Sequence, residues 1–325
     1  EGDKLAVVYG DTSGGSRGLQ AAIIATHPEP IHIAVDAAGD GSFERLSDEP
    51  TIQSRPGPPA RMRLTAPSNM TVGKSSELIV AIVDEHNNLV HDYEDQLSLE
   101  IFQGSGELPS DVSLEMQEGW QNVSFTPDRA GIMRIDAETR GGLLTARSNP
   151  IEVRATEAER KIYWGDIHSH SHHSWDGVGH QPFEYARHAA GLDFYARTDH
   201  SIPPSDGFTR GLADHAWDGY TAATEDHHDP GSFVTLHAYE ASFGSPYGHH
   251  NVYFRGSPGP LLAPANVTLP ELWDALTAGE ALTIPHHTGK FPQPLRFELP
   301  ETRPAIGRSY RGAPEGHRKI PHPPQ

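Results

Sequence analysis

Between residues 60 and 154 the sequence repeats one pattern, in which apolar and polar residues alternate along short segments that end in turn residues. Examples are SSELIVAIVDEHNNLVHDY, DQLSLEIFQGSG and GIMRIDAETRGG. A period of two places every second side chain on the same face of an extended strand. Several such strands at regular spacing are typical of a small β-sandwich, and this stretch therefore predicts one.

The pattern divides the chain into four parts. Residues 1–55 form a β-rich N-terminal segment, and residues 56–155 resemble the immunoglobulin-like modules that precede catalytic domains in many extracytoplasmic bacterial proteins. Residues 160–290 carry the polar motifs described below. Residues 291–325 are rich in Pro and Arg and lose all apolar periodicity, so we expect an irregular tail there.

After residue 155 the pattern changes to strands that alternate with helices. Strand-like segments are IYWGDIH, LDFYARTDH, GSFVTLHAYEAS, GHHNVYFRG and EALTIPHH, and helix-like segments include PFEYARHAAG and TLPELWDALTAG. This alternation predicts an α/β domain with a largely parallel sheet. In such domains the catalytic and ligand-binding residues lie at the carboxyl ends of the strands.

Histidines and carboxylates concentrate at these strand ends. The chain has 21 histidines, and 15 of them lie between residues 168 and 287. His168 and His170 stand two residues apart on an extended segment, which puts both rings on one face. Imidazole and carboxylate are ligands for borderline divalent cations. The candidate metal ligands are His168, His170, Asp176, His200, Glu240, His250 and His286.

The motifs GDIHSHSHHSWDG, LDFYARTDHS, YEAS, GHHNVYF and TIPHHTG resemble, in order, those of the PHP superfamily of metal-dependent phosphoesterases. The resemblance implies a distorted (β/α)7 barrel, incomplete here at the C-terminal end, with two or three zinc, manganese or iron ions. It implies ligands in motif order: His168 and His170 on the first ion, Asp176 and His200 on the second, Glu240 as the bridge, and His250 and His286 on the third.

Two adjacent pairs stay open. His250 is preferred over His249 because a hydrophobic strand follows it, and His286 is preferred over His287. His287 would then lie over the substrate as a general acid or phosphate donor. Asp199 precedes the candidate ligand His200, so it is a candidate catalytic group that would orient this histidine without itself binding the metal.

The expected activity is hydrolysis of a phosphoester by water activated at a multinuclear site. A non-catalytic metal-binding or partner-binding protein is one alternative. An amidohydrolase-like enzyme is another, although no Lys lies between Lys161 and Lys290 to bridge metals. An incomplete barrel exposes strand edges, so self-association as a homo-oligomer is also expected.

Composition limits the partners. The 44 acidic and 25 basic residues give a formal net charge of −19, which argues against nucleic-acid binding through a basic surface. No apolar run approaches the roughly 18 residues of a membrane-spanning helix. Cys is absent, so thiolate ligands are excluded. The lack of Cys and the immunoglobulin-like part favour an extracytoplasmic, periplasmic or secreted, location.

Overall fold

The computed structural model describes residues 8, 10–179, 182–201, 211–244, 247–264, 266–276 and 279–286. The first fourteen strands, in chain order, are β1 (Glu29–Pro30), β2 (Ala34–Val35), β3 (Glu44–Arg45), β4 (Thr51–Ile52), β5 (Arg61–Thr65), β6 (Asn69–Thr71), β7 (Ser76–Val83), β8 (Tyr93–Gln103), β9 (Gly106–Glu107), β10 (Asp111–Met116), β11 (Trp120–Pro127), β12 (Gly131–Thr139), β13 (Thr145–Arg147) and β14 (Ile151–Arg154). The remaining strands are β15 (Gly165–Asp166), β16 (Phe194–Ala196), β17 (Val234–Leu236), β18 (Ala238–Ser242), β19 (His249–Phe254) and β20 (Ala281–His286). The helices are α1 (Pro182–Glu184), which continues as a π-helix (Tyr185–Ala189), α2 (Asp214–Asp226) and α3 (Leu269–Ala275).

Strands β5 to β14 form a two-sheet sandwich. One sheet has the order β10-β8-β12-β14-β6, with β13 paired to β12, and the other has the order β5-β7-β11-β9. In β8, Leu97 and Leu99 are buried while their neighbours face solvent, as a period of two requires. The shared core also includes Leu78, Ile82 and Phe125. The prediction of an all-β part is confirmed.

A short N-terminal segment attaches to this sandwich. Strands β1 and β4 pair, as do β2 and β3, and both pairs are antiparallel. The side chain of Asn88 holds the segment: its Nδ2 donates to the carbonyl oxygen of Ile23, and its Oδ1 accepts from the amide of Ala25, each at 2.8 Å. Asp84, 1% exposed, accepts in turn from Asn88 and from the amide of Gly57 at 2.8 Å.

The second part contains two small sheets. Strands β15-β16-β17 pair in parallel, whereas β18-β19-β20 pair antiparallel. A parallel bridge between His200 and Glu240 joins them. The predicted largely parallel sheet is thus wrong for half of these strands, and the described residues form no (β/α)7 barrel. Only six residues separate β18 from β19, which is too short for a parallel crossover.

The sandwich packs directly on the segment that follows α1. Arg63 donates to the carbonyl oxygen of Ala189 at 3.0 Å, and the rings of Trp120 and His188 stack at 3.5 Å. Gly191 has a φ of +64°, and a Cβ there would lie 2.4 Å from Thr65. Only glycine therefore fits this junction without strain.

Two expectations concern the chain as a whole. Within the described residues, no helix combines the length and the apolar character that a membrane crossing needs. The irregular tail, residues 291–325, lies outside the described residues.

Candidate metal centre

One face of the antiparallel sheet β18-β19-β20 carries most of the polar groups. Glu240 pairs with Asn251, Ser242 pairs with His249, and His249 pairs with His286. Residues directly opposite one another, and residues two apart on a strand, share a face. Glu240, Ser242, His249, Asn251 and His286 therefore all point to the same side.

The segments that follow β15 and β16 bring further ligands to this face. His170 bridges two carboxylates: its Nε2 lies 2.9 Å from Glu240 Oε2, and its Nδ1 lies 2.9 Å from Asp176 Oδ1. His200 Nε2 lies 3.2 Å from Asp176 Oδ2. His168 Nε2 lies 3.7 Å from Glu240 Oε2. The side chain of His249 contacts the other oxygen of Glu240 through Nδ1.

Two groups of three residues have the geometry of a metal site. Subsite A consists of His168, Glu240 and His286, and subsite B consists of His170, His200 and Glu240. Within each group the candidate ligand atoms lie within 4.8 Å of one another. Glu240 belongs to both groups, so a single buried carboxylate connects them.

The electrostatics of the cluster favour positive charge at its centre. Burial opposes ionisation of Glu240, but hydrogen bonds with His170 and His249 hold the pKa of this carboxyl far below its usual value. Burial also opposes protonation of His170, yet Glu240 and Asp176 outweigh it and raise the pKa of this ring to about 9. A site that stabilises an imidazolium between two carboxylates also suits a cation.

For His168 and His200, unlike His170, the effect of burial is larger than that of the nearby carboxylates. Burial therefore lowers the pKa of both rings, although the negative charge of Glu240 acts to raise it. Neutral imidazole is the form that binds metals. Neutral imidazoles at His168 and His200 and ionised carboxylates fit zinc, manganese or iron, and His170 would release its proton when a metal binds.

The structure corrects the choice between His249 and His250. His250 lies on the opposite face of β19, because adjacent residues on a strand point to opposite sides. It is fully buried between Phe243 and Trp273, and its Nε2 contacts the carbonyl oxygen of Tyr247 at 3.2 Å. His249, and not His250, lies on the site face and contacts Glu240. The strand pairing that places His249 opposite His286 decides which of the two histidines lies on the site face, and a single sequence does not show this pairing.

Asp199 also lies away from the cluster. It is fully buried, and it accepts hydrogen bonds from the amide of Ser171 at 2.7 Å and from its hydroxyl at 2.8 Å. The Nε of Arg197 lies 3.8 Å from its carboxylate. Asp199 therefore holds the turn that carries His170, and the assignment as a catalytic group is replaced by this positioning role. His287 lies outside the described residues.

The remaining predicted ligands come together. His168, His170, Asp176, His200, Glu240 and His286 all belong to the cluster around Glu240. His168, His170, Asp176 and His200 come together because β15 and β16 run in the same direction and end at the same edge, whereas Glu240 lies inside the antiparallel strand β18.

A family model described as "Protein of unknown function (DUF3604)" matches residues 183–291, about a third of the chain. No PHP family model matches, so the identification with the PHP superfamily is wrong. HxH and TDH motifs are short, so a match to them identifies no family by itself. None of the curated proteins matches the chain.

Several solved structures are similar in part. The D00-D0 domain of intimin shows 12% identity and a TM-score of 0.26, covering 36% of this chain and 59% of its own length. Domains 4 and 5 of the S-layer protein SbsC show 10% identity and a TM-score of 0.23, covering 38% and 65%. The PKD domain of an M14-like peptidase from Thermoplasmatales archaeon SCGC AB-540-F20 shows 17% identity and a TM-score of 0.22, covering 30% and 97%. The chain thus spans less than two thirds of the intimin and SbsC fragments.

Proposed function

We propose that this chain is a metal-dependent hydrolase that acts on phosphoesters. The observation that carries the proposal is the convergence of imidazoles from three chain segments on one buried carboxylate, Glu240, which belongs to both subsites. Burying an ionised carboxylate is costly unless cations or donors surround it. A metal-binding role explains why the sequence places this group at the bottom of a histidine cluster.

The residues of the cluster differ in how far they are exposed to solvent. Glu240 and His200 form the buried floor, whereas the side chains of His168 and Asp176 are 28% and 34% exposed and form the rim. Trp175, 42% exposed, stacks on His200 with ring centroids 5.7 Å apart and shields it on one side. A substrate would therefore approach along the rim.

Zinc, manganese or iron would be held by subsites A and B, with Glu240 shared between them. Two divalent ions in such a site supply Lewis acidity and lower the pKa of water, the chemistry that phosphatases and nucleases use. The chain residues orient the ions and the substrate. Neither Cys nor a side-chain nucleophile is required for this chemistry.

The test uses the full chain, loaded with zinc or with manganese. We expect it to hydrolyse bis(p-nitrophenyl) phosphate or p-nitrophenyl phosphate, and Glu240→Gln to lower turnover by about 100-fold or more, beyond the loss typical of an outer-shell change. Glu152→Gln, on the sandwich surface, is the matched control and should keep full activity. Cleavage of p-nitroanilides alone would contradict the substrate class. Metal binding without turnover would favour the non-catalytic alternative.

Location and assembly remain predictions. The extracytoplasmic location is supported by the absence of Cys and by the N-terminal sandwich. Fractionation of the producing cell would test it. Light scattering on the purified chain would test whether it forms a homo-oligomer.

A further inference from the structure

Two residues on the site face of the sheet belong to neither subsite, although each contacts a ligand histidine. Ser242 Oγ lies 2.6 Å from Nδ1 of His200. The amide of Asn251 lies 2.7 Å from Nδ1 of His168. Each of them touches Nδ1, whereas Nε2 faces Asp176 in His200 and Glu240 in His168.

The chemistry of imidazole gives these contacts a consequence. A neutral ring carries its proton on one nitrogen and offers a lone pair only on the other. The Nε2 atoms face the carboxylates, at 3.2 Å from Asp176 for His200 and at 3.7 Å from Glu240 for His168. Binding through Nε2 thus needs the proton on Nδ1 and an acceptor beside it.

Ser242 supplies this acceptor for His200. Its hydroxyl donates to the backbone carbonyl of Glu240 at 3.1 Å, which leaves an oxygen lone pair for the Nδ1 proton. The carboxylate of Glu240 also lies 3.5 Å from the same nitrogen and cannot donate when ionised. Both neighbours of Nδ1 accept, and the ring is held with its proton on that side.

For His168 the corresponding neighbour is Asn251, whose amide nitrogen lies against Nδ1 and has to turn over before the side chain can accept the ring proton. The residue is 3% exposed, and its Oδ1 has no hydrogen-bond partner while its Nδ2 faces the ring. The oxygen and nitrogen of an amide exchange places by a half-turn. After this turn Oδ1 accepts the Nδ1 proton, and Nε2 keeps its lone pair. Thr198 Oγ1, 3.1 Å from the same nitrogen, is engaged with the backbone of Ser169.

We propose that Ser242 and Asn251 are positioning residues that fix the Nδ1-protonated tautomers of His200 and His168, one for each subsite. The proposal rests on the metal site proposed above. It predicts that the two subsites lose affinity separately, because each residue supports a ligand of only one of them.

The experiment measures zinc binding by calorimetry and ring tautomers by ¹⁵N NMR, on Ser242→Ala, Asn251→Leu and wild type. Ser242→Ala should weaken binding at subsite B alone, and Asn251→Leu at subsite A alone, each by about 10- to 100-fold. The ring signals of the supported histidine should change, whereas those of the other should not. Asn251→Asp keeps an acceptor at the same place and should restore the His168 signal.

Unchanged zinc affinity and unchanged ring signals in both variants would overturn the proposal. If wild type binds no zinc, the proposed function fails, but the tautomer of His200 can still be measured in the metal-free chain. A proton on Nδ1 in wild type, lost in Ser242→Ala, would support the positioning role even then. If Asn251→Leu fails to fold, Asn251→Asp provides the same test, since a His168 signal without Nδ1 protonation would contradict the proposal.

Discussion

Replacing Asp199 by Asn should unfold the second part of the chain at much lower urea, because Asp199 is a structural anchor. The carboxylate is fully buried, and Arg197 beside it is 4% exposed. The guanidinium also donates to the carbonyl oxygen of Tyr220 at 2.9 Å and stacks 3.7 Å from its ring. Asn keeps the shape of Asp but removes the charge that compensates Arg197.

The magnitude follows from these contacts. Asn keeps one acceptor for the amide of Ser171 and offers the hydroxyl of this serine only a neutral partner, so the charge-assisted character of these bonds is lost, and a bond to a charged group contributes about 1.5–3 kcal/mol. Removing one partner of a buried ion pair costs about 3–5 kcal/mol. The two effects overlap, and we expect a loss of about 4 kcal/mol in the free energy of unfolding. With a urea m-value near 2 kcal/mol per molar, the midpoint falls by about 2 M.

The matched control is Asp136→Asn. Asp136 pairs with Arg147 through two contacts of 2.6 and 2.7 Å, but the side chains are 23% and 43% exposed. Exposed pairs contribute at most about 1 kcal/mol. Urea unfolding followed by fluorescence compares the variants. Equal midpoints for both would refute the anchoring role, and lost turnover at unchanged stability would restore a catalytic role for Asp199.

Three further predictions follow from the same structure. His249→Ala should weaken zinc binding by at least about 10-fold in calorimetry, whereas His250→Gln, one residue on and on the opposite face, should leave it unchanged. Burial raises the pKa of Asp84, but hydrogen bonds from Asn88 and from neighbouring amides outweigh burial and lower this pKa below 3.8. The stability that Asp84 contributes is therefore present above pH 3.8 and is lost as the pH falls through the lowered pKa. Acid unfolding should accordingly be less steep in Asp84→Asn. Gly191→Ala should lower the melting temperature, because its Cβ would meet Thr65 at 2.4 Å and its φ is positive; an unchanged melting temperature would show that the junction can relax.

Local patterns predicted much of the sandwich. The alternation in β7 and β8 fixes which side chains enter the core, and Asn87 adopts the positive φ of 71° that a tight turn favours. Thr268 caps α3, with Glu271 completing a capping box. These features depend on residues a few positions apart, so the sequence contains them in full.

The errors arose where distant strands decide the outcome. Whether His249 or His250 faces Glu240 depends on the register of β18 against β19, and a shift of one residue reverses it. The role of Asp199 depends on Ser171, which is 28 residues away. The antiparallel direction of β18 and β19 follows from their six-residue connection, which the helix–strand alternation obscured.

The most direct test of the metal site is elemental analysis of the full chain, purified without chelators, beside Glu240→Ala. Glu240 is the one residue that both subsites share, so its loss should affect both. We predict two equivalents of zinc, manganese or iron per chain in wild type and less than about half an equivalent in the variant. Equal metal content in the two proteins, or none in wild type, would contradict a metal centre built on Glu240.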